Sequence, residues 1–489
     1  MPARVPTRLL PWLLVLLCTC SRPSPRPQAA GELWVDRAAS NGDGTRERPL
    51  RSLADALARP GPKRVHLAAG RYEGPFRLPE GTRLVGEGSS TILIAADPGP
   101  PVVEASGDTA LESLAVEGGG WGLEARGPVR VHSVTFRNQA RGAIRLGAGP
   151  LEGRGLRFEA GAGSQASVTV GVLVEAGTAG ASAPSLILRD SAFTGAYDRA
   201  VRVRGGATVR LEGVDFQGPR MALSQDGGVV EVERARASGG TGTAFSTVGG
   251  ALTLVDVRVR GHEYAVTANQ ARLSVRGFRS EHATRAGMGL TATTGLLEDV
   301  TVKDAGNYGA LQLTASDLEV RRFRLEGSRE YGVVALQGRV RLRDGVIQGV
   351  STADGLAGDG LHLRQVEADV DTVTVEGAKG TCVLATQRAR ATLRDARLSG
   401  CGLAALAADS KATLESRNVD VRDTPGSILL AIEEGQLQVE HLTAKDARGE
   451  LVSTDCEGQT RVRLRHVDAG TRRGLGSPCV QLDARSPQP

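Results

Sequence analysis

Apolar residues recur along most of the chain in one pattern, apolar–x–apolar–x–x–apolar–x–apolar, often closed by a polar residue and Gly. Clear instances are Val129/Val131/Val134/Phe136, Val209/Leu211/Val214/Phe216, Leu252/Leu254/Val257/Val259 and Leu318/Val320/Phe323/Leu325, and Leu437/Val439/Leu442/Ala444 and Val462/Leu464/Val467/Ala469 continue it. Alternation on both sides of a two-residue interruption predicts two short strands joined by a bend, each with one inward face. Taken as a marker, the second apolar position falls at 111, 131, 153, 188, 211, 232, 254, 275, 297, 320, 342, 370, 393, 414, 439 and 464. Thirteen of the fifteen intervals lie between 20 and 25 residues, and the others are 35 and 28. A sustained period of this length marks a solenoid, in which no rung buries its apolar face alone. The L-x-x-L-x-L-x-x-N signature of leucine-rich repeats is absent. About 16 rungs at strand spacing would span roughly 75–80 Å.

The first segment differs. Leu33-Trp34-Val35-Asp36 alternates like a strand and Asn41-Gly42-Asp43-Gly44-Thr45 is turn chemistry. Pro49 to Leu57 reads as a short amphipathic helix ended by Pro60-Gly61, followed by Val65-His66-Leu67 as a strand and Gly70-Arg71-Tyr72 as a turn. Residues 33–72 resemble the N-terminal segment of pectin-lyase-like β-helix proteins. That resemblance implies an all-β fold, a right-handed parallel β-helix, with a capping helix over the first coil. It also brings polysaccharide lyases, polygalacturonases and epimerases into view, but neither a pectate-lyase-type nor a polygalacturonase-type residue set can be placed in this chain.

Arg4 and Arg8 precede the apolar run Leu9 to Leu17, which fits the h-region of a secretory signal and is too short for a membrane span. Leu17-Cys18-Thr19-Cys20 resembles a bacterial lipobox with Cys20 as the lipidated residue. The Pro-rich stretch Ser21 to Pro27 then reads as an extended tether, and Ser21 after the anchor is compatible with the outer membrane. The expected organisation is a signal peptide over 1–19, a tether over 20–31, a cap with the first coils over 32–104, and β-helix repeats over 105–486. The expected address is a lipid anchor in the cell envelope.

Composition fits a stack of short strands: Gly numbers 64 and aromatics make up 3 %. Net charge is +5, or about +3 without the signal segment. That is too small and too interspersed an excess to indicate nucleic acid. Asp190, Asp256, Asp299, Asp344 and Asp395 each lie two residues after a marker, where the chain must turn, and read as bend residues rather than catalytic carboxylates. Outside the signal region four cysteines remain, spaced about one coil apart, which predicts the disulfides Cys382–Cys401 and Cys456–Cys479 in an oxidising compartment. No C-x-x-C spacing supports zinc.

Three features carry candidate chemistry. Residues 160–184 form a Gly/Ala/Ser-rich interruption, read as a strand plus a loop. In the second interruption Asp354 and Asp359 lead into His362, a set able to hold Ca²⁺ or act as acid and base. Four residues beyond the marker an outward position carries Arg157, Arg236, Arg258, Arg279, Arg324 and Arg397. Of these Arg236, Arg258 and Arg279 fall on successive rungs. Such a row either is balanced by Glu231, Glu233 and Glu281 or forms a cationic strip for an acidic polysaccharide. Tyr264, Tyr308 and Tyr331 could form an edge cluster. The expected function is a non-catalytic envelope lipoprotein whose β-helix is a binding or structural scaffold, with an acidic polysaccharide or other envelope proteins as candidate partners, without a required cofactor. The alternative is an enzyme acting on an acidic polysaccharide.

Overall fold

The computed structural model describes residues 31–161, 169–176, 182–352, 355 and 358–483. The signal segment, Cys20 and Asp354 lie outside the described residues, as do parts of the 160–184 interruption. Every strand pairing is parallel, and the chain winds as a right-handed parallel β-helix of about 17 turns.

One coil shows the plan. Thr208–Glu212 lies on a first face, Asp215–Gln217 on a second and Met221–Asp226 on a third. Inward residues alternate with outward ones on the first two faces because strand side chains have a period of two. The second apolar position of the pattern forms one column on the first face. It starts earlier than the repeat suggests, with Leu33 over Val65, Leu84 and Leu111, and ends at Leu464 over Leu482.

Two details of the ladder need correction or explanation. Position 414 is not a marker, because Leu393 stacks on Ser416, and Ser416 on Val439. The inner place is taken by a buried hydroxyl, Ser416 Oγ, which donates to the Gln438 carbonyl at 3.5 Å. With Ser416 in place both flanking intervals become 23 residues. Gly153 is a true member with no side chain, and a Cβ there would come within 2.6 Å of Leu188 and 2.7 Å of Leu156, which fill its space.

From Leu111 to Leu464 the bend falls two residues beyond this column, each time at one left-handed residue. From Ser113 and Ser133 through Gly155, Asp190, Gly213, Arg234, Asp256 and Gly277 to Asp299, Arg322, Asp344, Thr372, Asp395, Asn418, His441 and His466, φ lies between +48° and +69°. The five aspartates are thus bend residues. Left-handed backbone disfavours most side chains by about 1–2 kcal/mol, yet here the corner accepts many types.

The core is an aliphatic and aromatic filling between the three faces. Phe136, Phe158, Phe193 and Phe216 occupy one inner position of the second face on successive coils. They stack at centroid distances of 5.6, 4.2 and 5.2 Å. Room for them comes from the third face, where Gly122 and Gly171 stand opposite. A Cβ on these would meet the rings of Phe136 and Phe193 at 2.7 and 2.6 Å.

At the N-terminal end α1 (Leu53–Ala58) is capped by Ser52, whose side chain accepts from the Asp55 amide, and buries Leu53, Ala56 and Leu57. Lys63 is buried and its ammonium donates to the Leu57 carbonyl at 3.3 Å at the helix end. Gly70-Arg71-Tyr72 is the strand Gly70–Glu73 rather than a turn. The Tyr72 hydroxyl donates to the Val35 and Ala68 carbonyls, and burial pushes its pKa up to about 12. Within the long interruption Val170–Glu175 forms the third-face strand, paired with both neighbouring coils.

Both disulfides are formed, each with Cα atoms 5.4 Å apart. Each joins neighbouring coils, and in the first the two cysteines are not register mates. Thr381 and Val383 pair with Ala404 and Leu406, so the mate of Cys382 is Ala405, and its disulfide goes instead to Cys401, four residues earlier.

Candidate functional site

Each strand of the first face exposes three outward positions flanking the buried column. Arg339, Arg341 and Arg343 fill all three on one coil, and Arg461, Arg463 and Arg465 do so near the end of the stack. Here the face is hollowed into adjoining recesses of about 830 and 610 Å³ that share Thr392 and Glu415. Together they form a groove running along the axis of the solenoid from Gly338 to Asp483.

The groove's charges are partly balanced. Arg394 pairs with Asp369 at 2.6 Å, Arg465 with Asp483 at 2.7 Å, Arg339 with Glu367 at 3.2 Å, and Arg417 more loosely with Glu440 at 3.8 Å. Arg388, Arg390 and Arg463 are exposed and meet no carboxylate within ion-pair distance among the described residues. Unpaired guanidinium groups in a hollow favour an anion, since a concave wall concentrates the field.

The second-face row is stacked as expected: Arg236 pairs in register with Arg258, and Arg258 with Arg279. Its compensation differs from expectation. Glu281 holds Arg279 at 2.6 Å. Glu231 and Glu233 lie on the first face, across the bend, and serve Arg210 and Arg234 instead. Arg236 and Arg258 have no carboxylate partner among the described residues. Arg324 is separated from Arg279 by Thr301. It pairs with Glu326 and donates to Gln348 Oε1 at 2.7 Å. None of these four arginines lines either recess of the groove.

The structure brings Asp359 and His362 together on the third face, in the strand Asp359–Arg364. His362 Nδ1 lies 2.9 Å from Asp359 Oδ2, while Asp359 Oδ1 accepts from the Thr381 amide at 2.7 Å. Asp359 is buried, both oxygens facing N–H groups, so it does not offer the open carboxylate of a Ca²⁺ ligand set. The His362 side chain is 18 % exposed and meets the ring of Tyr331 edge-on, with centroids 5.0 Å apart. A carboxylate on one imidazole nitrogen orients the other, the arrangement of a histidine general base. The three tyrosines each meet a different neighbour. Tyr264 covers Gly289, Tyr331 packs on His362, and Tyr308 lies under Arg285 at 5.6 Å.

No family model and no curated protein matches this sequence. Solved structures with similar coils exist at low similarity. The catalytic unit of a GH87 α-1,3-glucanase from Streptomyces thermodiastaticus is 13 % identical over 94 % of this chain and 72 % of that one, with a TM-score of 0.25. A mannuronan C-5 epimerase A-module from Azotobacter vinelandii is 12 % identical over 89 % and 93 %, with a TM-score of 0.24. The N-terminal fragment of bacteriophage Phi29 gene product 12 is 11 % identical over 86 % and 88 %, with a TM-score of 0.34. Similarity at this level says nothing about the chemistry of this chain.

The groove is what sequence reasoning missed. Its signal was present, since R-V-R-L-R occurs at 339–343 and again at 461–465, with every arginine outward.

Proposed function

We propose that this protein is a non-catalytic binding scaffold of the cell envelope, held by a lipid on Cys20, whose first-face groove takes an acidic polysaccharide. The observation that carries this reading is the set of exposed, unpaired guanidinium groups of Arg388, Arg390 and Arg463 along an axial groove. Arg388 and Arg390 lie on one coil and Arg463 three coils further on, a separation of roughly 14 Å at strand spacing that an extended polymer with repeated anionic groups can bridge. Alternating carboxylates in the same groove suit the hydroxyls and amides of such a chain.

The test is calorimetric titration with polygalacturonate, polymannuronate and a neutral glucan, with the mixtures analysed for new chain ends. Binding of the acidic polymers alone is expected, weakened by salt and lost when Arg388, Arg390 and Arg463 are all changed to Gln. Equal binding of the neutral glucan, or no effect of the triple change, would refute the groove.

The Asp359–His362 pair supports a second reading, an enzyme acting on such a polymer with His362 as the base. Unsaturated or reducing ends that appear with the parent protein and vanish in His362→Gln would establish that reading over the first.

A further inference from the structure

Near the end of the stack, the bend residues of two successive coils are His441 and His466, both left-handed with φ of +57° and +51°. Their rings lie parallel within 5°, with centroids 4.5 Å apart. Glu440, one residue before the first bend, brings a carboxylate oxygen to 3.8 Å from His441 Nε2. One ligand atom from each of the three side chains lies within 4.8 Å of the others.

We propose that Glu440, His441 and His466 form a binding site for a divalent transition-metal ion of the Zn²⁺ class. Imidazole nitrogens with one carboxylate suit such an ion, whereas Ca²⁺ and Mg²⁺ prefer oxygen-only shells. Two ligands about 2.0–2.1 Å from a tetrahedral ion sit roughly 3.4 Å apart. The three side chains therefore need to close by up to about 1.4 Å, which His441 and Glu440, 46 % and 37 % exposed, can reach by side-chain rotation. The bend geometry supplies the rest: identical corners on successive coils place both imidazoles on the same side, pointing the same way. Arg417, at 3.8 Å and 60 % exposed, is only a loose competitor for Glu440. Water completes the coordination. The ion would join the last two bend-bearing coils by a second link, beside the disulfide Cys456–Cys479.

The probe is Zn²⁺ itself, titrated calorimetrically into chelator-treated full-length protein, with Ca²⁺ and Mg²⁺ as controls. One Zn²⁺ per chain is expected, with a raised thermal midpoint and no heat from the two controls. His441→Asn and His466→Asn should each weaken binding by more than about tenfold, and Glu440→Gln by less. Asn is a sound replacement because Asn418 already occupies the preceding bend at φ +57°. An unchanged metal-free thermal midpoint of the variants verifies that their corners are intact. Zn²⁺ uptake that survives in the double Asn variant would place the ion elsewhere, and no uptake by the parent would remove the site. Either result overturns the proposal.

Discussion

From Phe136 to Phe216 four phenylalanines hold one inner position on successive coils, facing small residues such as Gly122 and Gly171 across the core. Near the other end the same position holds Leu398, Val421 and Ala444, in register. The opposing place then passes from Cys382 to Ala405, Ile428 and Leu451, so bulk moves from one wall to the other as the phenylalanines disappear. Both disulfides lie in this second region and none in the first among the described residues. Stacked rings give the early coils a large contact area. The late coils, built from smaller groups, are held instead by bonds between neighbouring turns. Close packing can be met by either wall, and coils that lack aromatic contact need another link to their neighbours.

The comparison can be broken most directly in the aromatic column. Phe193 is fully buried between Phe158 and Phe216. Phe193→Ala is expected to destabilise its region by about 3–5 kcal/mol, read as lost hydrogen-exchange protection in coils 150–220 with the late coils unchanged. Exposure of the late coils as well would show that the stack unfolds as one unit and that the two regions are not separable.

The disulfide side of the comparison predicts a somewhat smaller loss. Replacing Cys382 and Cys401 together by Ser should cost about 3 kcal/mol on the chain-entropy view. Amide exchange should rise near residues 380–430 and stay unchanged around the phenylalanine column. An unaltered exchange pattern would mean that packing alone holds these coils.

A finer test sits at the junction. A Cβ on Gly345 would fall 2.0–2.4 Å from three atoms of the Phe323 ring. Gly345→Ala should therefore destabilise by about 1–3 kcal/mol. Adding Phe323→Leu should recover part of that loss in denaturant melts. A purely additive double variant would sink the idea that the coils trade volume.

These details explain how much was legible in advance. The coil plan was readable because inner positions repeat with period two, and that repeat fades where an inner residue is glycine, as at Gly153, or polar. Ser416 is such a case: a hydrophobic template steps to Leu414, two residues early. The cysteine pairs and the aspartate bends follow from spacing alone. The groove does not, since Arg394 and Arg390 look alike in sequence. Register sets Arg390 opposite Glu367 and Arg394 opposite Asp371, yet Glu367 is held by Arg339 and Arg394 reaches diagonally to Asp369, which no spacing foretells. The same holds for the histidines, 25 positions apart in no ligand-spacing motif, and for Glu231 and Glu233, which lie across a bend from the arginines they were expected to balance.

The left-handed corner has a consequence of its own. Because one residue per turn makes the bend from Ser113 to His466, and Ser, Gly, Asp, Arg, Thr, Asn and His all serve there, this edge of the solenoid is a ruled line of interchangeable side chains. Its pitch is that of the strands, roughly 4.8 Å, and its direction is fixed by the stack. New chemistry can be written along this line one letter at a time, each letter landing beside its neighbour from a coil away, while the walls that hold the stack together stay as they are.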